Sequence, residues 1–471
     1  MADYTTPGVY IEEVPQLPPS ITAVDTAIPA FIGYTERARD QADDDLLLTP
    51  RRISSWYEYE HYFGRADAEQ SLVVSFGRST GTSVEMNPRS EEATRSKFVL
   101  YYSLQLYFAN GGGPCYIVSV GNYATSGRQV YVELLLAGLE AAGQVEEVTL
   151  LCFPDALGLP DAPTYYLLMG EAINQAEALN NRFVLMDLYA PRDDWRADRQ
   201  MLRDHLPGTV DGLRNAAVYW PVLVTRVNFE YKLPGTDDDD DALVKIEGNK
   251  HGHTLAELKE NSNTDYLRAK DAVRSLAMNL PAAPAMAGIY TQIDSTRGVW
   301  KAPANVGLEL VVGPYWGIND ANQGDMNVDV ETGRSINAIR FFKGKGTVVW
   351  GARTLAGNDN DWRYIPVRRF YMMVEESVKK GTEQFVFEPN DRNTWVRVKS
   401  MIDLFLTQQW KAGALQGSTA HDAFFVKVGL GETMTELDIQ EGRMIIEIGM
   451  AVTSPAEFMI LRIMHKMLAE S

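Results

Sequence analysis

Cysteine is almost absent from this chain, and long apolar runs are absent altogether. Cys115 and Cys152 are the only cysteines among 471 residues, and both lie in apolar, strand-like sequence. They predict buried thiols rather than a disulfide framework, as expected for a chain that folds in a reducing cytoplasm. No apolar run reaches the roughly 18 to 20 residues that a membrane-spanning helix needs. Residues 1–7 have neither the basic start nor the apolar core of an export signal.

The chain is also short of positive charge. Its 44 basic residues face 63 acidic ones, which gives a formal net charge of −19. An acidic balance of this size argues against a nucleic-acid-binding face. The basic residues cluster locally in the last third, on two segments that predict amphipathic helices: Arg368, Arg369, Lys379 and Lys380 on the first, and Arg392, Arg397 and Lys399 on the second.

Residues 77–81 contain the one candidate catalytic motif. Gly77, Ser79 and Gly81 fit the G-x-S-x-G pattern of an α/β-hydrolase nucleophile elbow, which requires a helix directly after the serine. Residues 82–88 do not begin a helix, and no later histidine follows a core strand beside a carboxylate. An α/β-hydrolase-like enzyme is therefore the alternative from another class, and the sequence predicts no enzyme.

Two acidic segments and a histidine pair are the candidate metal sites. Residues 320–331 match a calcium loop at the first, third and twelfth positions, but Asp325 stands where the sharp turn needs glycine. The run Asp237–Asp241 lacks a suitably placed glutamate, and His251 and His253 have no partner at zinc spacing. Neither a Walker lysine nor a dinucleotide fingerprint is present. We expect no catalytic, cofactor or metal site.

The domain organisation follows from the apolar segments. Residues 21–335 predict a central α/β domain with parallel pairing, because strand-like runs alternate with helical ones. Polar insertions fall near 64–96 and 232–264. Residues 336–471 predict a C-terminal α+β domain, with helices near 362–380 and 394–410 and strands near 346–353, 423–428 and 443–452.

Each end of the chain carries an apolar strand without a hairpin partner. The N-terminal arm, residues 1–20, contains one bounded by prolines, with Val9, Tyr10, Ile11 and Val14; the last strand contains Phe458, Ile460, Leu461 and Ile463. Such a strand must pair, because an exposed apolar edge aggregates. The first is either an edge strand of the chain's own sheet or a strand lent to a neighbouring subunit.

A resemblance to a known family runs through short segments along the chain. They are residues 4–10, 24–34, 110–116, 298–305, 388–391, 394–395, 410–415, 422–426, 442–443 and 455–458. These segments resemble contractile tail sheath proteins, the family of phage tail sheaths and of the sheaths of phage-like extracellular contractile injection systems. The resemblance implies a central domain of subtilisin-like fold without catalysis, and a C-terminal sheath domain completed by strands from neighbouring subunits.

The same resemblance implies stacked hexameric rings that form a helical sheath around an inner tube, which contraction drives through a target envelope. The terminal strands would be exchanged between subunits. We expect one of the two basic helices to face the tube, unless their charges form a solvated face. The expected receiving sheet contains Val348, Val349, Phe425, Val426, Ile445 and Ile446. A sheath-like baseplate or cap component is a further alternative.

Partners expected from the resemblance are other copies of the chain, the inner tube protein, and baseplate and terminal cap proteins. Sheath paralogues and a disassembly ATPase are further candidates. We expect no nucleic acid and no membrane insertion. The subunit would be assembled in the bacterial cytoplasm, as part of a phage tail or of a released extracellular particle.

Overall fold

The computed structural model describes residues 20–80, 83–91, 94–189, 194–231 and 243–460. Within these ranges the chain forms two compact units. The larger contains residues 25–373 and 454–460, and the smaller contains residues 20–24 and 374–453. The units divide at 373/374, which corrects the boundary expected at 335/336.

The strands are, in chain order, β1 Pro29–Thr35, β2 Arg51–Ile53, β3 Leu72–Thr80, β4 Ser83–Ser90, β5 Cys115–Asn122, β6 Leu150–Cys152, β7 Phe183–Asp187, β8 Ala216–Trp220, β9 Leu223–Thr225, β10 Lys245–Glu247, β11 Met278–Leu280, β12 Val311–Pro314, β13 Ile336–Phe342, β14 Gly346–Val349, β15 Phe424–Lys427 and β16 Glu447–Met450. The helices are α1 Trp56–Phe63, α2 Leu100–Ala109, α3 Val132–Gly143, α4 Ala162–Leu179, α5 Trp195–His205, α6 Val210–Leu213, α7 Leu255–Asn261, α8 Asn263–Arg274, α9 Ala283–Arg297, α10 Asp320–Asn327, α11 Ile365–Thr382, α12 Arg392–Lys411, α13 Ala420–Ala423 and α14 Glu436–Gln440.

An eight-stranded sheet forms the centre of the larger unit, in the order β14-β13-β8-β7-β6-β1-β5-β2. The six inner strands run parallel, and β2 and β14 close the edges in antiparallel register. This arrangement confirms the parallel pairing predicted from alternating apolar runs and helices. The strand β13 pairs with β8 of this sheet, so residues 336–342 extend the central domain instead of opening the last one.

Side chains of the inner strands alternate between two hydrophobic layers, as strand geometry requires. In β1, Phe31 packs into one layer while Ala30 and Ile32 pack into the other. Helices α2 and α9 cover the first layer, and α3 and α4 cover the second. Cys115 and Cys152 are free thiols buried in this sheet, as the sequence predicted.

The two polar insertions form one small substructure. The strands β3 and β4 make an antiparallel hairpin from the first insertion, and β10 from the second pairs with β3 in parallel. Helix α8 packs beside both hairpin strands. Residues 72–80 and 83–90 of the first insertion are therefore strands. A second three-stranded sheet, β11-β9-β12, lies elsewhere in the larger unit.

The smaller unit contains helix α12 and the antiparallel pair of β15 and β16. Asp391 starts α12, because its carboxylate accepts hydrogen bonds from the backbone N–H groups of Asn393 and Thr394. The buried side of α12 carries Val398, Ile402, Phe405 and Leu406 at the spacing that the sequence predicts for one apolar stripe. Trp395, Gln409 and Trp410, expected on the same stripe, are half-buried, and Met401 joins the buried side.

Candidate assembly surfaces

The G-x-S-x-G motif lies in a strand. Ser79 belongs to β3 and stands opposite Val84 of β4 in the hairpin register. A nucleophile elbow would place the serine at a turn between a strand and a helix. The backbone of residues 77–80 therefore has the wrong geometry for the hydrolase alternative.

The crevice where a doubly wound sheet would bind a ligand is occupied by Asp155. Such sheets bind ligands beyond the carboxyl ends of their strands, where the strand order reverses, and here that point lies between β1 and β6. The Asp155 carboxylate follows β6 and accepts hydrogen bonds from the backbone N–H groups of Tyr34 (2.7 Å), Val99 (2.6 Å) and Leu100 (2.9 Å). Complete burial raises its pKa to about 7, against the lowering effect of these hydrogen bonds.

Asp187 has the same role at the next strand. It ends β7 and accepts hydrogen bonds from the backbone N–H groups of Ala282 and Ala283 at the start of α9. Burial raises its pKa to about 7 as well. Both carboxylates therefore fix a helix start against a strand end, which is a structural role.

The acidic segment at 320–331 begins with helix α10, so its backbone does not follow a calcium loop. Across the described ranges no group of three or more His, Cys, Asp or Glu side chains could hold a metal ion. The run Asp237–Asp241 lies outside those ranges. None of the described helices is both long enough and apolar enough to cross a membrane.

The expected receiving sheet is only partly brought together. Phe425 and Val426 lie in β15, while Ile445 and Ile446 come just before β16. Val348 and Val349 instead lie buried in β14 of the central sheet, so their assignment to the same sheet was wrong. The sequence of a strand does not show which other strand it pairs with, which explains the error.

The β15–β16 ladder is followed directly by an isolated bridge between Leu415 and Val452. No third strand pairs along β15 or β16 within the part of the chain that the structure describes. Phe425 and Ile445 are 48% and 38% exposed, whereas Val426 on the other face is buried. Helix α12 packs beside β15 and supports the pair, because a two-stranded sheet alone is only marginally stable in water.

The terminal strands are described only in part. Phe458, Met459 and Ile460 are 70%, 84% and 77% exposed. Val9, Tyr10, Ile11, Val14, Leu461 and Ile463 lie outside the described residues. The exposed apolar run therefore begins at Phe458, directly after Glu457.

Two of the expected tube-facing residues are buried inside the larger unit. The Arg368 guanidinium donates to the side chains of Asn215 and Asn180. Arg369 forms an ion pair with Asp294 and lies over the ring of Tyr290. Neither side chain can face a tube, so these assignments were wrong. Their partners are distant in sequence, and helical periodicity alone placed both arginines on a polar face.

The remaining basic candidates lie in the smaller unit. Lys379 and Lys380 form exposed ion pairs with Glu376, one turn earlier on α11. On α12, Arg392 and Arg397 are exposed and Lys399 is partly exposed. Arg397 also lies 3.9 Å from the carboxylate of Glu388 and packs over the ring of Phe385. All five therefore retain contact with solvent.

Sequence reasoning did not assign a role to Glu457 or Arg353. The structure joins them in a largely buried ion pair. The one available signal was the resemblance of residues 455–458 to sheath proteins, since nothing in a local pattern connects residues that far apart.

Comparisons with known proteins agree with this architecture. The sequence model of the phage tail sheath C-terminal domain matches residues 357–466. A tail sheath protein of Vibrio phage KVP40 is 27% identical over 154 residues, which are 33% of this chain and 22% of that protein.

Solved structures match over nearly the whole chain. The anti-feeding prophage (AFP) helical sheath in its contracted state is 30% identical, with a TM-score of 0.65 over 98% of this chain and 100% of that one. The sheath complex of the PVC extracellular contractile injection system, also contracted, is 28% identical, with a TM-score of 0.63 over 99% of both chains. A chain of the contracted AFP baseplate is 26% identical, with a TM-score of 0.68 over 98% of this chain and 99% of that one. The chain therefore belongs to the contractile tail sheath protein family and is a structural subunit of a contractile sheath.

Proposed function

We propose that copies of this chain join by strand exchange at the β15–β16 pair. The observation that carries the proposal is a short two-stranded sheet on which Phe425 is 48% exposed. Its proposed occupants are two segments of other copies, Val9–Val14 and Phe458–Ile463. Strand addition supplies main-chain hydrogen bonds for affinity and alternate side-chain positions for register.

The polymer built in this way is a stack of hexameric rings around an inner tube. Family membership and the two contracted sheath relatives support this arrangement. Strand exchange suits contraction because the connection can persist while whole domains rotate and slide as rigid bodies. The movement would drive the tube through a target envelope.

One of two basic surfaces contacts the tube. The first is Arg392, Arg397 and Lys399 on α12, and the second is Lys379 and Lys380 on α11. Exposed ion pairs contribute only about 0–1 kcal/mol each. Several weak pairs would hold the tube and still release it on contraction.

We infer that the central domain has a structural role and no catalytic one. Its parallel sheet supports the subtilisin-like likeness, while the Asp155 carboxylate occupies the crevice at the strand ends. Baseplate, cap and tube proteins are the proposed partners, with sheath paralogues and a disassembly ATPase as further candidates. Assembly would take place in the bacterial cytoplasm.

A sheath subunit adjoining the baseplate is a second candidate. The match to a chain of the contracted AFP baseplate, with a TM-score of 0.68, favours it. Labelling this chain in an intact particle would separate the two: a signal along the whole tail indicates the main sheath, and a signal at one end indicates the second candidate.

Removal of the N-terminal strand tests strand exchange. A chain lacking residues 1–14 should fold, with unchanged circular dichroism, but form no rings or striated tubes in electron micrographs. The full-length chain under the same conditions is the control. Tubes of normal length from the truncated chain would refute the proposal.

A further inference from the structure

The Glu457 carboxylate sits in a prepared binding site on its own subunit. Its two oxygens accept hydrogen bonds from the Arg353 guanidinium, with Nε–Oε1 at 3.0 Å and Nη2–Oε2 at 2.6 Å. The Asn327 amide donates to Oε1 at 2.5 Å, and the Tyr364 hydroxyl donates to Oε2 at 3.1 Å. These contacts make Glu457 the best-fixed side chain of the segment 454–460.

Arg353 is held independently of Glu457. Its side chain is 5% exposed, and Nη1 donates to the backbone carbonyls of Asn327 (3.2 Å) and Gly357 (3.3 Å). The Asn337 side chain bonds both the N–H and the C=O of the Arg353 backbone, each at 2.8 Å. The guanidinium is therefore oriented before the carboxylate arrives, which is the arrangement that favours a bidentate pair.

The exposure of the side chains rises sharply immediately after Glu457. Glu457 has a side chain that is 19% exposed, whereas the three following apolar residues are each at least 70% exposed. A run of exposed apolar side chains indicates a surface that another molecule covers. Here the run begins at the residue next to the ion pair.

We propose that the Glu457–Arg353 pair is the anchor from which the C-terminal arm, residues 458–471, leaves its own subunit. We also propose that the arm has no slack, meaning no spare residues between this anchor and the exchanged strand. The inference rests on the proposed strand exchange, with the β15–β16 pair of a second copy as the receiving sheet. A strand of six residues, Phe458–Ile463, spans about 20 Å. With one strand spacing added, the receiving sheet lies within about 25 Å of the donor's anchor.

This geometry limits the motion of the assembled sheath. The central sheet of one subunit and the receiving sheet of its neighbour can rotate about the anchor, but they cannot separate while the strand stays paired. Glu457 is thus a positioning residue: it fixes where the neighbour sits without contacting it.

The first experiment tests the anchor in the isolated chain. A spin label is placed on Ala456→Cys, because Ala456 is exposed and both native cysteines are buried. The label should be immobile, and adding Glu457→Gln should raise its rotational mobility several-fold by removing the charge while keeping the shape. Glu436→Gln, at an exposed position on α14, is the matched control. Equal mobility in the Glu457 and Glu436 variants would overturn the anchor.

The second experiment measures reach in the polymer. Subunits labelled at Ala456→Cys are mixed sparsely with subunits labelled at Lys427→Cys, an exposed position at the end of β15. The shortest distance between the two labels should be about 30 Å or less once their linkers are included. A shortest distance above about 40 Å would overturn the absence of slack.

A truncated chain distinguishes failure of the anchor from failure of the strand exchange. A chain that lacks residues 458–471 retains Glu457, so its label mobility tests the anchor separately from assembly. Normal tubes from this chain would contradict strand exchange and, with it, the role of the anchor as the origin of a lent strand. An immobile label and no tubes would support both.

Discussion

Phe425 and Gly449 stand directly opposite each other in the β15–β16 pair, and the phenylalanine ring covers the glycine. A Cβ atom at position 449 would lie 2.2 Å from the nearest ring carbon, too close for any side chain unless the ring moves. The glycine therefore lets an aromatic ring lie over the exposed face of the sheet that we propose as the receiving site.

Gly449→Ala should consequently destabilise the smaller unit. Because Phe425 is 48% exposed, its ring can turn aside, and the cost should be at most about 1 kcal/mol of unfolding free energy, measured by chemical denaturation. Loss of the ring from the exposed face should reduce tube formation. Gly324→Ala is the matched control, because a Cβ there meets nothing within 4 Å and the position is helical. The control should gain about 0.5–1 kcal/mol. A stable, fully assembling Gly449→Ala chain would contradict the role given to Phe425.

Charge reversal separates the two candidate tube surfaces. We expect either the triple variant at Arg392, Arg397 and Lys399 or the double variant at Lys379 and Lys380 to lose co-sedimentation with the tube protein. The other variant should keep it. All five side chains reach solvent, so each should change the unfolding free energy by less than about 1 kcal/mol per residue. If both variants bind the tube as well as the unmodified chain does, the proposed electrostatic contact with the tube is refuted.

Arg369→Met should act through stability alone. Arg369 donates two hydrogen bonds to Asp294, at 3.0 and 2.6 Å, and both side chains are less than a tenth exposed. Removing the cation leaves a buried carboxylate without its partner, which lowers the unfolding free energy by about 3–5 kcal/mol. Folded Arg369→Met chains should bind the tube normally. If the variant keeps its stability but loses tube binding, Arg369 contacts the tube after all.

Asp155 should make stability dependent on pH. Its folded pKa of about 7 lies above the ordinary value of 3.8 because of burial. The folded state therefore binds the proton more tightly, and this stabilisation is complete below about pH 4 and lost as pH rises through 7. Relative to Asp155→Asn, the wild-type chain should lose about 1 kcal/mol of unfolding free energy per pH unit between 5 and 7. Stability curves that run parallel over this range would contradict the raised pKa.

The sequence predicted the features that depend on local pattern. Parallel pairing in the central domain followed from strands alternating with helices, and the buried face of α12 followed from helical spacing. Family segments at both ends of the chain predicted a sheath subunit. These signals are carried by residues that are close together in the chain.

Features that depend on distant partners were missed. The strand β13 joins β8, more than a hundred residues earlier, so its sheet could not be identified from its own sequence. The hairpin strand β4 does alternate apolar and polar residues, at Val84, Met86 and Pro88, but a proline within so short a run argues against a strand. Arg368 was placed on a solvated face because Asn215, its buried partner, lies 153 residues away.

The central claim, that subunits are joined by strand exchange, is tested most directly by a cryo-electron microscopy reconstruction of the assembled sheath. We predict that β15 and β16 of each subunit are extended by residues 9–14 of one neighbour and residues 458–463 of another. A reconstruction in which β15 and β16 remain a two-stranded sheet, with both terminal strands packed on their own subunit, would contradict it.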